Sequence, residues 1–237
     1  MNEANFYHRK TLVVLLLFAA AIAGYGQEEN EDSRLTVDVG ADFVSSYVWR
    51  GMYQAGISLQ PTLSFSAYGV TFGAWGSTGF PANAKELDFY LSYEFKGFAA
   101  SLSDYWWNGE GASYLKNAGS HHIEVGLGFT FSDKFPLSLE VNTMLAGDED
   151  KDEDDRKYYS TYILASFPFS IERIGCEVGI GITPRKGMYS DRFDVVAISA
   201  KAVKRLQLSA KYSLPVFVEL IFSPAQDNAF LVFGIQF

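Results

Sequence analysis

Cysteine is almost absent from the 237-residue chain: Cys176 stands alone, so no internal disulfide framework exists. A lone thiol of this kind packs as a small hydrophobe. Cations are scarce too, with 19 Lys and Arg against 28 Asp and Glu and a formal net charge of −9. An acidic balance with no basic face speaks against nucleic acid as a partner. There is no zinc-type cysteine cluster and no phosphate-binding glycine loop, and no cofactor or metal is expected. Long apolar runs are missing as well. The one candidate, Thr11 to Ala23, is shorter than the ~20 residues a spanning helix needs.

What is present at the N-terminus is the layout of a secretory signal peptide. Arg9 and Lys10 precede that apolar run, and small residues, Ala23, Gly24 and Gly26, follow it. The expected organisation is a signal peptide over 1–26, an acidic leader over 27–34 ("QEENEDSR") and one β-barrel over 35–237.

From Leu35 onward the apolar pattern has period two, and no long segment carries a helical stripe. Leu35, Val37, Val39, Ala41 and Phe43 share one face of "LTVDVGADF". Leu87, Phe89, Leu91, Tyr93 and Phe95 do the same in "ELDFYLSYEF", as do Ile123, Val125, Leu127, Phe129 and Phe131 in "HIEVGLGFTF". The fold class expected is all-β. Strands are predicted near 35–50, 57–68, 69–77, 85–95, 97–107, 120–131, 136–146, 157–168, 175–184, 192–203, 206–215 and 229–237. That is about twelve, the even number usual for bacterial single-chain barrels. Pro61 and Pro215 lie inside apolar alternation, where a bulge or strand end is expected. Val216 to Phe222 either extends the eleventh strand or forms a separate segment.

Period two does not say which face is buried, since a soluble barrel or sandwich alternates in the same way. The connections help to decide. Tyr68-Gly69, Lys96-Gly97, Ser132 to Pro136, Ser170 to Gly175 and Lys204-Arg205 are brief, whereas "STGFPANA", "NGEGASYLKNAG", "GDEDKDEDDRK" and "RKGMYSDR" on the opposite side are longer. This asymmetry is that of a transmembrane antiparallel up-and-down barrel. Aromatic residues gather at strand ends as two girdles: Tyr47, Trp49, Trp106, Trp107, Tyr158 and Tyr159 at the loop end, and Phe95, Phe98, Phe131, Phe135, Phe167 and Phe169 at the turn end. The C-terminal "AFLVFGIQF", ending on Phe237, is similar to the signal that bacterial barrel-assembly machinery recognises.

"FVSSYVWRGMYQAGISLQPTLSF", followed by "FGAWGST" and "ELDFYLSYEF", resembles the N-terminal part of the TorF family of putative porins. The motif residues are Tyr47, Trp49, Arg50, Gly51 and Gln54; Ser46 and Tyr53 depart from the pattern, where Asp and Ser are expected. The resemblance covers about the first four strands. It implies an outer-membrane barrel with a porin role and says little about the solute.

Register assigns Trp49 to the lipid face with Phe43, Ser45 and Tyr47, and Arg50 to the lumen with Asp38, Asp42 and Ser46. The expected lumen is acidic: Asp38, Asp42, Glu86, Asp88, Glu94, Glu124, Glu140 and Glu177 against Arg50, Lys201 and Lys211. Carboxylates lining a pore concentrate cations. The expectation is a weakly cation-preferring channel for small hydrophilic solutes in the bacterial outer membrane, with lipid, lipopolysaccharide and the assembly machinery as partners. The plainer alternative is a plugged barrel in which Arg50 and the lysines only pair with nearby carboxylates. Two further classes stay open: a structural or adhesion barrel acting through its loops, and an outer-membrane hydrolase built around His121. His121 and His122 are adjacent, so on a strand they face opposite ways. The acidic segment Gly147 to Lys157 fails the EF-hand pattern, and a solvated loop is expected there, with weak divalent binding beside lipopolysaccharide as the sharper alternative.

Overall fold

The computed structural model describes residues 35–80, 85–108, 114–115, 120–210 and 212–237. The expected signal peptide and acidic leader, and Lys211, lie outside the described residues. Twelve antiparallel strands close into one barrel, and a separate two-stranded sheet lies apart from that wall. In chain order the strands are β1 (Thr36–Val44), β2 (Tyr47–Trp49), β3 (Met52–Ala55), β4 (Ser58–Ala67), β5 (Val70–Gly79), β6 (Lys85–Phe95) and β7 (Phe98–Asn108). They continue with β8 (His121–Ser132), β9 (Phe135–Ala146), β10 (Thr161–Ile171), β11 (Ile174–Thr183), β12 (Asp194–Gln207), β13 (Ser213–Ser223) and β14 (Asn228–Gln236). Among the described residues the helical structure is one 3-10 turn, Pro224–Gln226.

β1 pairs with β4 along its whole length, from Thr36↔Ser66 to Val44↔Ser58. The wall is therefore continuous across the point where β2 and β3 are inserted. On its other side β1 meets β14 over a short register, Asp42↔Gln236 to Val44↔Gly234. Backbone bonds from Phe237 N to Ala41 O and from Ser45 N to Phe233 O extend that seam, so the C-terminal residue helps close the barrel. Closure leaves the wall without a free edge running its full height.

Alternation then sorts the side chains. Val39 is 77% exposed, Phe98 64% and Leu127 63%, and Leu63, Leu91, Ile180 and Leu231 are exposed with them, a ring of large apolar groups on the outer surface. The turn-end girdle is present, with Phe95, Phe98, Phe131, Phe135 and Phe169 exposed. Inside, glycines make room for rings on neighbouring strands. Gly234 faces Phe217 and Gly73 faces Tyr90 in register, and a Cβ at either glycine would overlap the facing ring.

Three elements differ from the expectation. The first strand leaves the wall at Ser45-Ser46 instead of running to residue 50, and the chain then reverses at Arg50 and Gly51, which take positive φ (51° and 80°). Two such residues make the tight reversal that two-residue hairpins need. The eleventh barrel strand is Ser213–Ser223, so Val216 to Phe222 is wall, and Lys204-Arg205 lies inside β12, which runs on to Gln207. Pro61 and Pro215 both sit within paired strands. The eighth barrel strand shifts likewise, β10 starting at Thr161 because the chain ahead of it forms a folded loop in which Asp150 accepts from Ser160 N.

Gly234→Val should overpack the β13–β14 seam and cost about 1–3 kcal/mol. Denaturant unfolding of the refolded barrel would read it, and Ala229→Val, away from that ring, serves as the control.

Candidate functional site: a hairpin across the barrel mouth

β2 and β3 form a hairpin with its own register, Tyr47↔Ala55, Val48↔Tyr53 and Trp49↔Met52. It folds inward at the loop end, with the Arg50–Gly51 turn at its tip. Arg50 makes a two-pronged bond to Glu124 of β8, Nη1 to Oε2 at 2.6 Å and Nη2 to Oε1 at 2.7 Å. Nη1 also donates to the Tyr189 hydroxyl at 2.5 Å. Tyr105 of β7 donates to the same Glu124 carboxylate at 2.9 Å. The guanidinium lies 4.6 Å from the Trp49 ring centre and 4.7 Å from that of Tyr162 on β10. Planar, weakly hydrated Arg suits this paired and stacked position in a way Lys does not.

On the other side of the tip, Gly51 approaches the Val196 carbonyl of β12 so closely that a Cβ would collide with it. Ser223 Oγ donates to that carbonyl at 3.0 Å. Tyr162, Tyr189 and Val196 are buried together, with Trp49, Met52 and Met188 packed on them. Tyr189 belongs to the connection 184–193 and is 1% exposed, so that loop also dips into the mouth. The hairpin thus spans from its root at β1 and β4 to walls on two sides, with an apolar and aromatic seal around an internal ion pair.

Trp49 therefore faces the lumen, not lipid: its ring meets Trp107 at 5.1 Å, Tyr189 at 5.8 Å and Tyr105 at 5.9 Å. Tyr47 is also turned inward, 5.4 Å from Trp75. Of the loop-end aromatics, Tyr47, Trp49 and Trp107 turn into the stopper, the first two because the register of β1 is lost at Ser45-Ser46, while Trp106 lies opposite the outward His121 and Tyr159 is exposed. Arg50 does point into the lumen, but as a hairpin tip and not as a wall residue. Gln54 and Tyr53 are exposed on β3.

Below the seal the expected acidic residues are found on the inward faces. Glu86 accepts from Trp107 Nε1 at 2.6 Å, and Asp88 is buried one inward position along β6. Asp42 accepts from Gln236 at 3.4 Å. Asp38, Glu94, Glu140 and Glu177 keep more exposure, towards the turn end. Lys201 lies between Glu177 and Glu219 in register, with its Nζ 4.2 Å from the Phe217 ring centre. A cavity of about 730 Å³ at the turn end is lined by groups that include Ser101, Gly126, Gly128, Ser138, Glu140 and Asn142. Sequence reasoning missed Tyr105, Tyr162, Tyr189 and Glu219. Alternation gives the wall residues among these once register is known, whereas Tyr189 sits in a loop with no periodic signal.

The two histidines do face opposite ways. His122 is fully buried, stacked on Trp107 at 4.2 Å between ring centres, and paired through Nε2 with Glu149. His121 faces outward, with Nδ1 at 2.9 Å and 3.0 Å from the Asp104 oxygens, and Nε2 donates to the Tyr114 carbonyl at 2.9 Å. Both ring nitrogens are engaged, so neither is aimed at a hydroxyl as a Ser/His dyad requires.

The acidic loop is folded rather than merely solvated. Asp150 is buried and accepts from Ser160 N at 3.0 Å, while Lys151 bridges Asp148 and Asp155 at 3.0 Å and 2.9 Å. Arg156 meets Asp152 at 2.9 Å and Asp154 at 2.7 Å. The loop's own cations serve its carboxylates, and among the described residues no cluster suits a metal ion.

No protein-family model matches the chain, and no curated protein matches it. The TorF resemblance therefore stands on the quoted blocks alone. Among solved structures, a KdgM porin shares 11% identity over 84% of this chain and 98% of that one, with a TM-score of 0.51. BamA from Haemophilus ducreyi lacking POTRA domains 1-3 shares 10% identity over 81% of this chain and 42% of that one, with a TM-score of 0.43. A mutant porin of Rh. blastica shares 12% identity over 86% and 73%, with a TM-score of 0.41. The first of these likenesses establishes a shared barrel architecture.

Arg50→Met should leave the Glu124 carboxylate buried without its cation and weaken hairpin docking by about 3–5 kcal/mol. Hydrogen exchange of the Val48 and Tyr53 amides would accelerate accordingly. The double variant Arg50→Met/Glu124→Met should recover most of the loss, since removing both charges leaves neither stranded. At the acidic loop, the His122 imidazole holds the Glu149 carboxyl below the ordinary glutamate range. A lowered carboxyl contributes stability above its unfolded value and loses it as pH falls through the folded one. Exchange in 147–157 should therefore rise on acidification into and below the ordinary glutamate range, and His122→Ala should abolish that step.

Proposed function

We propose that the chain is a porin-like channel of the bacterial outer membrane, passing small hydrophilic solutes with a mild preference for cations. The observation that carries this reading is a closed wall, apolar outside and rich in carboxylates inside, with open volume at the turn end. A bilayer suits such a wall: the outer apolar ring meets lipid and closure satisfies the backbone. The architecture shared with a KdgM porin supports the same class. Lipid and lipopolysaccharide are then its surroundings, the assembly machinery its route there, and residues 1–26 the export signal. The TorF resemblance fits this placement.

The field a passing ion meets comes from the more exposed carboxylates, Asp38, Glu94, Glu140 and Glu177, opposed by Lys201. Glu86 and Glu124 are tied into the stopper and Asp88 is buried, so these three contribute less to it. A second reading has one observation in its favour. The Trp49, Tyr189 and Tyr162 seal fills the mouth, which suits a non-conducting structural barrel. A hydrolase around His121 draws no such support, given its committed nitrogens.

Single-channel recording of the refolded chain without residues 1–26, under a salt gradient, separates the two readings. Stepwise currents with a cation-signed reversal potential support the channel. Folded protein that stays silent, with the hairpin removed as well, supports the structural barrel. In a conducting protein, Glu140→Gln with Glu177→Gln should move the reversal potential towards zero; an unchanged value removes these two residues from the pathway.

A further inference from the structure

The stopper poses a mechanical question that a channel must answer, since the seal at the mouth lies across the only axis of the barrel. From its construction we infer that the β2–β3 hairpin is a gate, latched shut by the Arg50–Glu124 pair and able to swing as a unit. This inference rests on the channel reading above.

Three features make the hairpin a separable body. Its cross-strand pairing is internal, Tyr47↔Ala55 to Trp49↔Met52, and it belongs to no barrel sheet. The wall does not need it, because β1 and β4 pair directly up to Val44↔Ser58 on either side of the insertion. The two connections that tie it to the wall are short and small: Ser45-Ser46 on one side, and Gly56-Ile57 on the other. The last wall bonds on each side are Ser45 N to Phe233 O and Phe80 N to Ile57 O. Rotation about Ser46 and Gly56 moves the tip while leaving those bonds in place.

The latch is equally localised. At the tip, polar attachment runs through one side chain, Arg50, to Glu124 and Tyr189; nearer the root, where a swing moves the chain least, Tyr47 also bonds Glu86 of β6. The rest of the tip contact is ring packing and the fit of Gly51 under the Val196 carbonyl. Inside a low-dielectric seal, removing one member of a charge pair penalises the shut state out of proportion to its size. The swung-out state returns Arg50 to water, where it needs no partner. Glu124 keeps the Tyr105 hydroxyl in both positions, which lowers the cost of release on the wall side.

Single-channel recording of four proteins tests the gate: the wild type, Glu124→Gln, a barrel whose residues 46–56 are replaced by a short Gly/Ser turn, and a tethered hairpin. The tether joins Met52→Cys to Ala225→Cys, which pack on one cluster, by a reducible cross-linker in a Cys176→Ser background. Circular dichroism confirms the β content of each. The expected result is a wild type that is mostly shut with brief openings, and a Glu124→Gln open-to-shut ratio raised about ten-fold or more. The hairpin-less barrel should stay open, and the tethered one should fall silent until reduced. If Glu124→Gln does not fold, the tethered and hairpin-less proteins still decide. Wild-type conductance equal to that of the hairpin-less barrel, or openings that persist under the tether, overturns the gate while leaving the channel standing. A folded hairpin-less barrel that passes no current overturns the channel reading, and the gate with it.

Discussion

A wall of twelve strands encloses more space than the side chains of its own inner face can fill, and everything at the loop end follows from that excess. Eight strands bring inward residues close enough to touch across the axis; at twelve the inside must either hold water or be occupied by something else. This molecule does both, at different heights. At the loop end a hairpin and a folded-in loop bring Trp49 and Tyr189 onto Tyr105, Trp107 and Tyr162. Towards the turn end, Ser, Gly, Asn and Glu residues line an open cavity. The Arg50–Glu124 pair reconciles the two regimes, because it anchors an apolar plug to a wall that is otherwise polar.

The apolar seal and the acidic lumen also divide the carboxylates into two populations. Glu86 and Glu124 each accept hydrogen bonds from ring donors, Trp107 and Tyr105 respectively, and are parts of the packing. Asp38, Glu94 and Glu177 are exposed and lie outside that packing. Counting acidic residues on the inner face overstates the field in the passage, since buried and paired carboxylates project little of it.

How much of this could be read from the chain depends on the range of the interactions involved. The barrel wall was legible: alternation such as Leu87, Phe89, Leu91 is local and survives without knowledge of neighbours, and the closed twelve-strand architecture follows from it. The outward Val39 and the inward Asp38 and Asp42 were legible for the same reason. Trp49 escapes the pattern because alternation does not carry past Val44: the chain leaves the wall at Ser45-Ser46, ahead of the reversal at Arg50-Gly51. The Arg50-Gly51 pair is a turn signal in itself, outweighed in the sequence by the apolar pattern around it. Val216 to Phe222 was obscured by Pro215, which sits at a paired position in β13 without ending the strand. Tyr189 could not have been found, since its burial depends on where a loop falls in three dimensions.

Because β1 and β4 are neighbours in the wall with or without the eleven residues between Ser45 and Ile57, the stopper is an insertion into a finished meander. Its sequence is answerable to the lumen alone. Substitutions there can alter what fills the mouth while the strand count, the seam and the outer apolar surface stay as they are. The reverse also holds, since changes on the outer surface need not reach the hairpin. Two parts of one continuous chain are thus free to diverge at different rates, the barrel constrained by its surroundings and the hairpin by the interior it fills.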